Sequence, residues 1–204
     1  TNSELFQEGL IIPPMKIVKR GVLNQDFVTV FTANSRIPDI NMGDVHAMLG
    51  SLAIGGQRVA DIIERHGVDS FVAAQGALLD YSADKARDVL RLIPDGAYEF
   101  WDYMDDDAVS PIPVRVRVCM VVDDGRVLLD VCDTDPQVGG AYNVPTFGRR
   151  NYWFTMRFTN FLLTHDPTIA QNAGMYRHIS VINPPGTIMN AEFPDPVGIR
   201  QATA

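Results

Sequence analysis

The sequence has no long hydrophobic run, only two cysteines and no excess of positive charge, and each lack excludes something. No stretch approaches the ~20 apolar residues that span a bilayer, so a membrane partner is not expected. Lys and Arg number 17 against 25 Asp and Glu, a net charge of −8; without a basic face to neutralise phosphates, a nucleic-acid partner is not expected either. Cys119 and Cys132 fall on one face of a predicted hairpin but diagonally, too far apart for an unstrained bridge. Two free thiols suit a reducing compartment, and the expected location is cytoplasmic. Also missing are a G-x-S-x-G elbow, a P-loop, a dinucleotide fingerprint and an H-E-x-x-H pair. The chain opens without Met, basic n-region or apolar h-region, and Gln7–Glu8–Gly9–Leu10 runs into Pro13–Pro14 as an internal strand runs into a turn. A middle portion of a longer polypeptide, or a split subunit, is the expectation.

What is present divides by period. Residues 1–23 read as an extended lead-in, 24–94 as a helical region and 95–204 as a mixed β/α region, all expected to be parts of one larger subunit. Asn24 is placed to cap a short helix to Ala33. From Ile40 to His66, Val45, Met48, Leu49, Leu52, Val59, Ile62 and Ile63 recur at helical spacing, and Gly67 ends that run as a C′ glycine does. A second helix capped by Asp69 follows, carrying Phe71, Val72, Leu78, Leu79, Ala86, Val89 and Leu90. Two long helices joined so tightly are expected to fold back as an antiparallel pair, with Gly50, Gly55 and Gly56 allowing close helix packing. After Pro94–Asp95–Gly96 the period becomes alternating. An aromatic strand over 97–104 precedes a hairpin whose turn is Asp124–Gly125. That turn sets Val122 opposite Val127, Met120 opposite Leu129 and Cys119 opposite Asp130. An aromatic helix over 149–165, a strand near 178–182 and a proline-rich, irregular C-terminal segment complete the chain. The class is α+β: a long antiparallel helix pair, antiparallel strands with a hairpin, an aromatic helix and an irregular end.

The candidate chemistry is sparse. Asp105–Asp106–Asp107 offers hard carboxylate oxygens, but three adjacent residues cannot all face one ion from an extended chain, so a solvated turn is the better reading. His66 and His165 suit helix C-termini; His46 suits a core network and His178 a cleft wall. The loops 137–145 and 171–174 bracket the aromatic helix, and their Asn143 and Asn172 suit either turn capping or a substrate amide, with capping favoured by composition.

Several short segments in order then resemble the hydantoinase B/oxoprolinase family: Phe6–Gln7–Glu8–Gly9–Leu10 with Ile12–Pro13–Pro14, Leu78–Leu79–Asp80–Tyr81–Ser82, Pro94–Asp95–Gly96 with the Asp triplet, Pro136–Gln137, Gly140, Asn143 and Pro145, Asn172–Ala173–Gly174, and Pro185–Gly186–Thr187. That family comprises B subunits of ATP-dependent hydantoinases, the C-terminal part of 5-oxoprolinase and a large subunit of acetone and acetophenone carboxylases. The resemblance covers only a middle portion. It implies a share in an ATP-driven hydrolysis of a cyclic amide, with an actin-like ATPase (hydantoinase A-type) partner in a hetero-oligomer. ATP with Mg would sit on that partner, and a divalent metal on a segment outside this chain; no cofactor and no metal is expected on the chain itself. Carboxylation of a ketone substrate is the alternative, and a non-catalytic scaffold within such a complex is a second. The catalytic residues are not identified. Asn143 and Asn172 are the first choices for polar groups near substrate, Glu8 and Asp105 the next. Cys132–Asp133–Thr134–Asp135 stands where relatives carry small residues, and Phe147 with Arg149–Arg150 is bulkier and more basic than usual.

Overall fold

The computed structural model describes residues 2–198, in two units. One runs Gly9–Ala74; the other joins the residues up to Glu8 with those from Gln75 onward.

The Gly9–Ala74 unit begins with a small hairpin within the expected lead-in. Strands β1 (Val18–Lys19) and β2 (Val22–Leu23) pair around Arg20 and Gly21. Both turn residues have positive φ, the signature of a primed hairpin turn. Helix α1 (Gln25–Ala33) starts where expected: the Asn24 side chain accepts from the Asp26 amide, and its own amide group donates to Lys16 O. Helix α2 (Pro38–His66) opens with proline in its first turn, where no intrahelical donor is needed. α1 packs against α2, and Phe27 and Val45 are the buried side chains of these two helices.

The apolar stripe of α2 is left open within this unit: Met48, Leu52, Val59 and Ile62 of α2 are exposed, as are Val68 and Val72 in the opening turns of helix α3 (Val68–Leu90). Only Gly67 separates the two helices. Gly67 does end α2 as expected, with φ +80° and its amide donating to Ile63 O. Asp69 lies inside α3 instead of capping it. The glycine reading also changes: a Cβ on Gly50, Gly55 or Gly56 would meet nothing within 4 Å, so no close helix contact accounts for them.

The second unit is built on a sheet in the order β3 (Gly96–Met104), β4 (Val114–Asp123), β5 (Arg126–Asp130), β6 (Ile179–Ile182). The predicted hairpin register holds from Cys119↔Asp130 to Val122↔Val127. Asp124 and Gly125 both have positive φ, as a two-residue primed turn requires. A side chain on Gly125 would press on the Arg87 carbonyl, so the tight turn also seats against α3. Arg91 donates to the Asp124 carboxylate at 2.8 Å there, and Arg87 pairs with it as well. β6 pairs parallel to β5, which demands a crossover connection. Helix α4 (Tyr152–His165) lies on that crossover; it starts at Tyr152, not Arg149, because Asn151 accepts from Trp153 N and sets the end.

The core of this unit gathers Ala86, Val89 and Leu90 from α3, Val122, Val127, Leu129 and Val131 from the hairpin, and Phe154 and Leu162 from α4, with Met175 and Ile179. The change of period at residue 94 is thus a change of secondary structure. The unit boundary falls inside α3, whose part from Gln75 onward belongs with the sheet.

Candidate functional site

The polar groups of the second unit concentrate in two long loops, 135–148 and 183–198. Few of their backbone groups join ladders, so side chains must satisfy them. Asn143 is the centre. It is buried, its Oδ1 accepts from Val138 N at 2.8 Å, and its Nδ2 donates to the carbonyls of Val138, Gly140 and Pro196 at 2.7, 3.2 and 3.0 Å. Both donors and an acceptor of the amide are thereby committed to holding the loops together.

Asp107, the third residue of the acidic triplet, completes the same node. It is buried, and its carboxylate accepts from the Ser110 and Val109 amides. These donors, with burial opposing and the Gly140 and Gly139 amides adding to them, hold the carboxyl below its ordinary range. Gly140 runs so close that a Cβ would collide with the Asp107 carbonyl, which is the reason for glycine there. The sequence pattern favours Asp105; the structure leaves Asp105 exposed at the surface and places Asp107 in the node. The signal for Asp107 is local: a buried Asp followed by Ser110 closes an Asx-type turn, but three successive Asp residues hide which one turns inward.

Glu8 joins from the N-terminal end. Its Oε1 accepts from Val197 and Gly198 amides at 2.6 and 2.7 Å. Since Pro196 O accepts from Asn143, the structure brings Glu8 and Asn143 to the two sides of one segment, 196–198. Phe6 supports this arrangement edge-on against Phe193 at 5.4 Å. Asn172 belongs elsewhere. Its Oδ1 caps a 3-10 turn at Ala173–Tyr176 through Gly174 N, and its Nδ2 donates to Ser82 Oγ at 2.8 Å. Ser82 in turn donates to Ala170 O, so this second node fastens the 170–176 segment to α3. A Cβ on Gly174 would collide with the Leu79 carbonyl, the closest approach in that node.

A further polar cluster fixes the loops from below. Asn183 donates to Thr146 Oγ1 and Met189 O, both at 2.7 Å, and Asn190 donates to Asn183 O while accepting from Gly148 N. The unusual 132–135 stretch latches onto β4 beyond the end of β5. Thr134 Oγ1 accepts from Arg117 N and donates to Arg117 O, Asp133 pairs with the Arg117 guanidinium, and Asp135 accepts from Arg115 N at 2.8 Å. Next to it Cys132 is a free thiol pushed up by its hydrogen bond to Asp130 and by burial, the opposite of nucleophile activation.

Between the 107–114 segment and the start of the 135–148 loop lies a cleft of about 240 Å³ lined by Asp107, Ser110, Pro113, Asp135, Gln137 and Val138. His178 lines a separate cleft of about 340 Å³ with Arg126, Arg177 and Ser180; burial, then the Arg87 and Arg126 guanidinium charges, lower its pKa. His66 and His165 close helices α2 and α4. Among the described residues, no three His, Cys, Asp or Glu side chains gather in a way that could hold a metal ion, and no helix is long and apolar enough to cross a membrane.

Comparison with known proteins now places this architecture. The sequence profile of hydantoinase B/oxoprolinase matches residues 1–204. A protein of Pseudomonas sp. (strain NS671), assigned as the B component of a D-/L-hydantoinase, is 33% identical, over 97% of this chain and 34% of its own length. The acetophenone carboxylase delta subunit of Aromatoleum aromaticum is 29% identical, over 68% of this chain and 20% of its own. The crystal structure of the ATP-dependent caprolactamase from Pseudomonas jessenii shares the fold, with a TM-score of 0.77 at 24% identity over 96% of this chain and 33% of that one. The chain spans about a third or less of the length of the curated relatives it matches. Profile, relatives and fold agree: the chain belongs to the hydantoinase B/oxoprolinase family.

Proposed function

We propose that this chain forms part of the substrate-handling subunit of an ATP-dependent enzyme that opens a cyclic amide by hydrolysis. The observation that carries this reading is the extent of the likeness: similarity to the D-/L-hydantoinase component runs over 97% of the chain, against 68% for the acetophenone carboxylase subunit. An actin-like ATPase subunit is the proposed partner and the seat of ATP and Mg. Phosphorylation of the amide oxygen by ATP, with release of ADP, would make the ring carbon a better electrophile. Water would add, the C–N bond would break as the nitrogen takes a proton, and a second water would release phosphate from the resulting acyl phosphate to leave the carboxylate. The cleft beside Asp107 and Gln137 is of a size for a small lactam ring.

Within this chain the proposed roles follow from what each polar group already does. Asn143, Asn172 and Glu8 act as positioning residues, because their polar atoms are spent on backbone groups that shape the loops. Asp105, exposed beside the node, is the member of the expected set whose carboxylate is turned to solvent.

Ketone carboxylation is the second reading, supported by the acetophenone carboxylase relative. The test uses the whole assembly. Asn143→Ala and Asn172→Ala are expected to lower ring opening at least about tenfold with the complex intact, since small displacements of a reacting geometry carry costs of that order. Wild-type ring opening and ATP hydrolysis in an intact complex would remove both residues from the account.

A further inference from the structure

Strand β3 leaves one edge of its sheet open along its whole length. β4 pairs with it from Gly96 to Met104 without interruption, and β3 ends the strand order, so its outer backbone groups bond no neighbouring strand among the described residues. Edge strands in folded proteins are blunted by lysine, proline, bulges or shortness. The opposite edge, β6, has four residues and runs into Pro184–Pro185. β3 has nine residues, no Lys, no Pro and no bulge. Its aromatic side chains face water: Phe100 is 65% exposed, Trp101 51% and Tyr103 54%. Tyr98 and Phe100 open onto an apolar groove of about 380 Å³ whose far wall is Trp153, Phe154 and Phe158 of α4. At the end of the strand, Asp102, Asp105 and Asp106 are exposed.

We propose that the open edge of β3 is the docking site for a β-strand of a partner polypeptide, an extended segment with alternating apolar side chains and a Lys or Arg facing the Asp102–Asp106 end. Only an extended chain satisfies a row of unpaired strand donors and acceptors. Alternation puts every second side chain into the Tyr98–Phe100 groove, and the cation answers the exposed carboxylates. Relatives about three times as long as this chain show that the family carries polypeptide from which such a strand can come. A second copy fits less well: a twofold pairing centred on Phe100 would set Asp105 opposite the copy's Asp95, like charge against like.

The test is hydrogen exchange on the 204-residue chain with a synthetic peptide of alternating Thr and Val carrying Lys at both ends, matched in length to β3. The outer β3 amides are expected to slow by about tenfold or more at saturating peptide, and less with a Glu-ended version. Trp101→Lys, with an unchanged melting curve, is expected to abolish the slowing; Phe100→Lys serves if Trp101→Lys unfolds. No slowing with the Lys-ended peptide overturns the proposal, and equal slowing with both peptides overturns its charge component. A concentration-dependent dimer in sedimentation, abolished by Trp101→Lys, overturns it in favour of a second copy.

Discussion

Leu162 of α4 and Leu52 of α2 are both leucines of helices with recurrent apolar positions, yet the first is fully buried and the second is 70% exposed. The contrast extends to their units. The sheet unit surrounds its apolar side chains with α3, α4 and the hairpin, while the Gly9–Ala74 unit buries Phe27 and Val45 and leaves most of the α2 stripe in water. An amphipathic stripe of this kind is normally closed against another element. The difference teaches that the helical pattern of α2 reports a surface made to be covered, whereas the pattern of α3 and α4 reports a core already made.

The largest break in that comparison comes from the core. Leu162→Ala is expected to cost about 2–5 kcal/mol, the range for deleting a buried leucine side chain, read from the urea midpoint of the sheet unit's transition. A cost below about 1 kcal/mol, roughly the level of surface changes, would mean that α4 does not close the core.

The polar loops come next. Asn143→Ala removes hydrogen bonds to four backbone groups and is expected to cost about 1–3 kcal/mol, because it leaves buried donors and acceptors unsatisfied. Asn143→Asp keeps the acceptor but loses both donors, and it is expected to recover little; recovery to the parent midpoint would contradict the donor role of Nδ2.

Acid sharpens the comparison further, since the lowered carboxyls lie in the sheet unit. Lys85, then Thr168, hold Asp166 at about 2, below the ~3.9 of an unfolded chain. Because its folded pKa is depressed, the Lys85–Asp166 pair at 2.7 Å contributes fully above about pH 4 and is lost as pH falls toward about 2. Asp107, also lowered, acts in the same direction. The parent melting temperature should therefore fall between about pH 4 and 2, and by less in Asp166→Asn. Identical slopes would remove Asp166 from the acid response.

Leu52→Ala is the smallest expected effect, within about 0.5 kcal/mol in the chain alone, as for an exposed side chain. A large loss in the chain alone would mean that α2 already buries its stripe.

Much of the fold was legible because it is set locally. Asn24 starts its helix by a side-chain cap, and Asp124–Gly125 dictates the β4–β5 register through two positive φ values. What faces the α2 stripe was not legible, because periodicity reports which face is apolar but not what covers it. The parallel partner of β6 was also hidden, since a four-residue strand carries no register signal of its own. For the site, Asn143 and Glu8 were legible as residues and not as roles. Their partners lie 53 and 189 positions away at Pro196 and Val197, and only the folded loops show that their polar atoms are spent on backbone. Asp107 was masked by its two acidic neighbours.

The most direct test of the account is the reaction itself, measured in the full assembly with the proposed ATPase partner. Supplied with ATP and a panel of five- to seven-membered lactams and hydantoins, in parallel with ketones and labelled bicarbonate, the assembly is expected to release the ring-opened amino acid with ATP consumption. ATP-dependent incorporation of bicarbonate into a ketone, with every ring left intact, would contradict it.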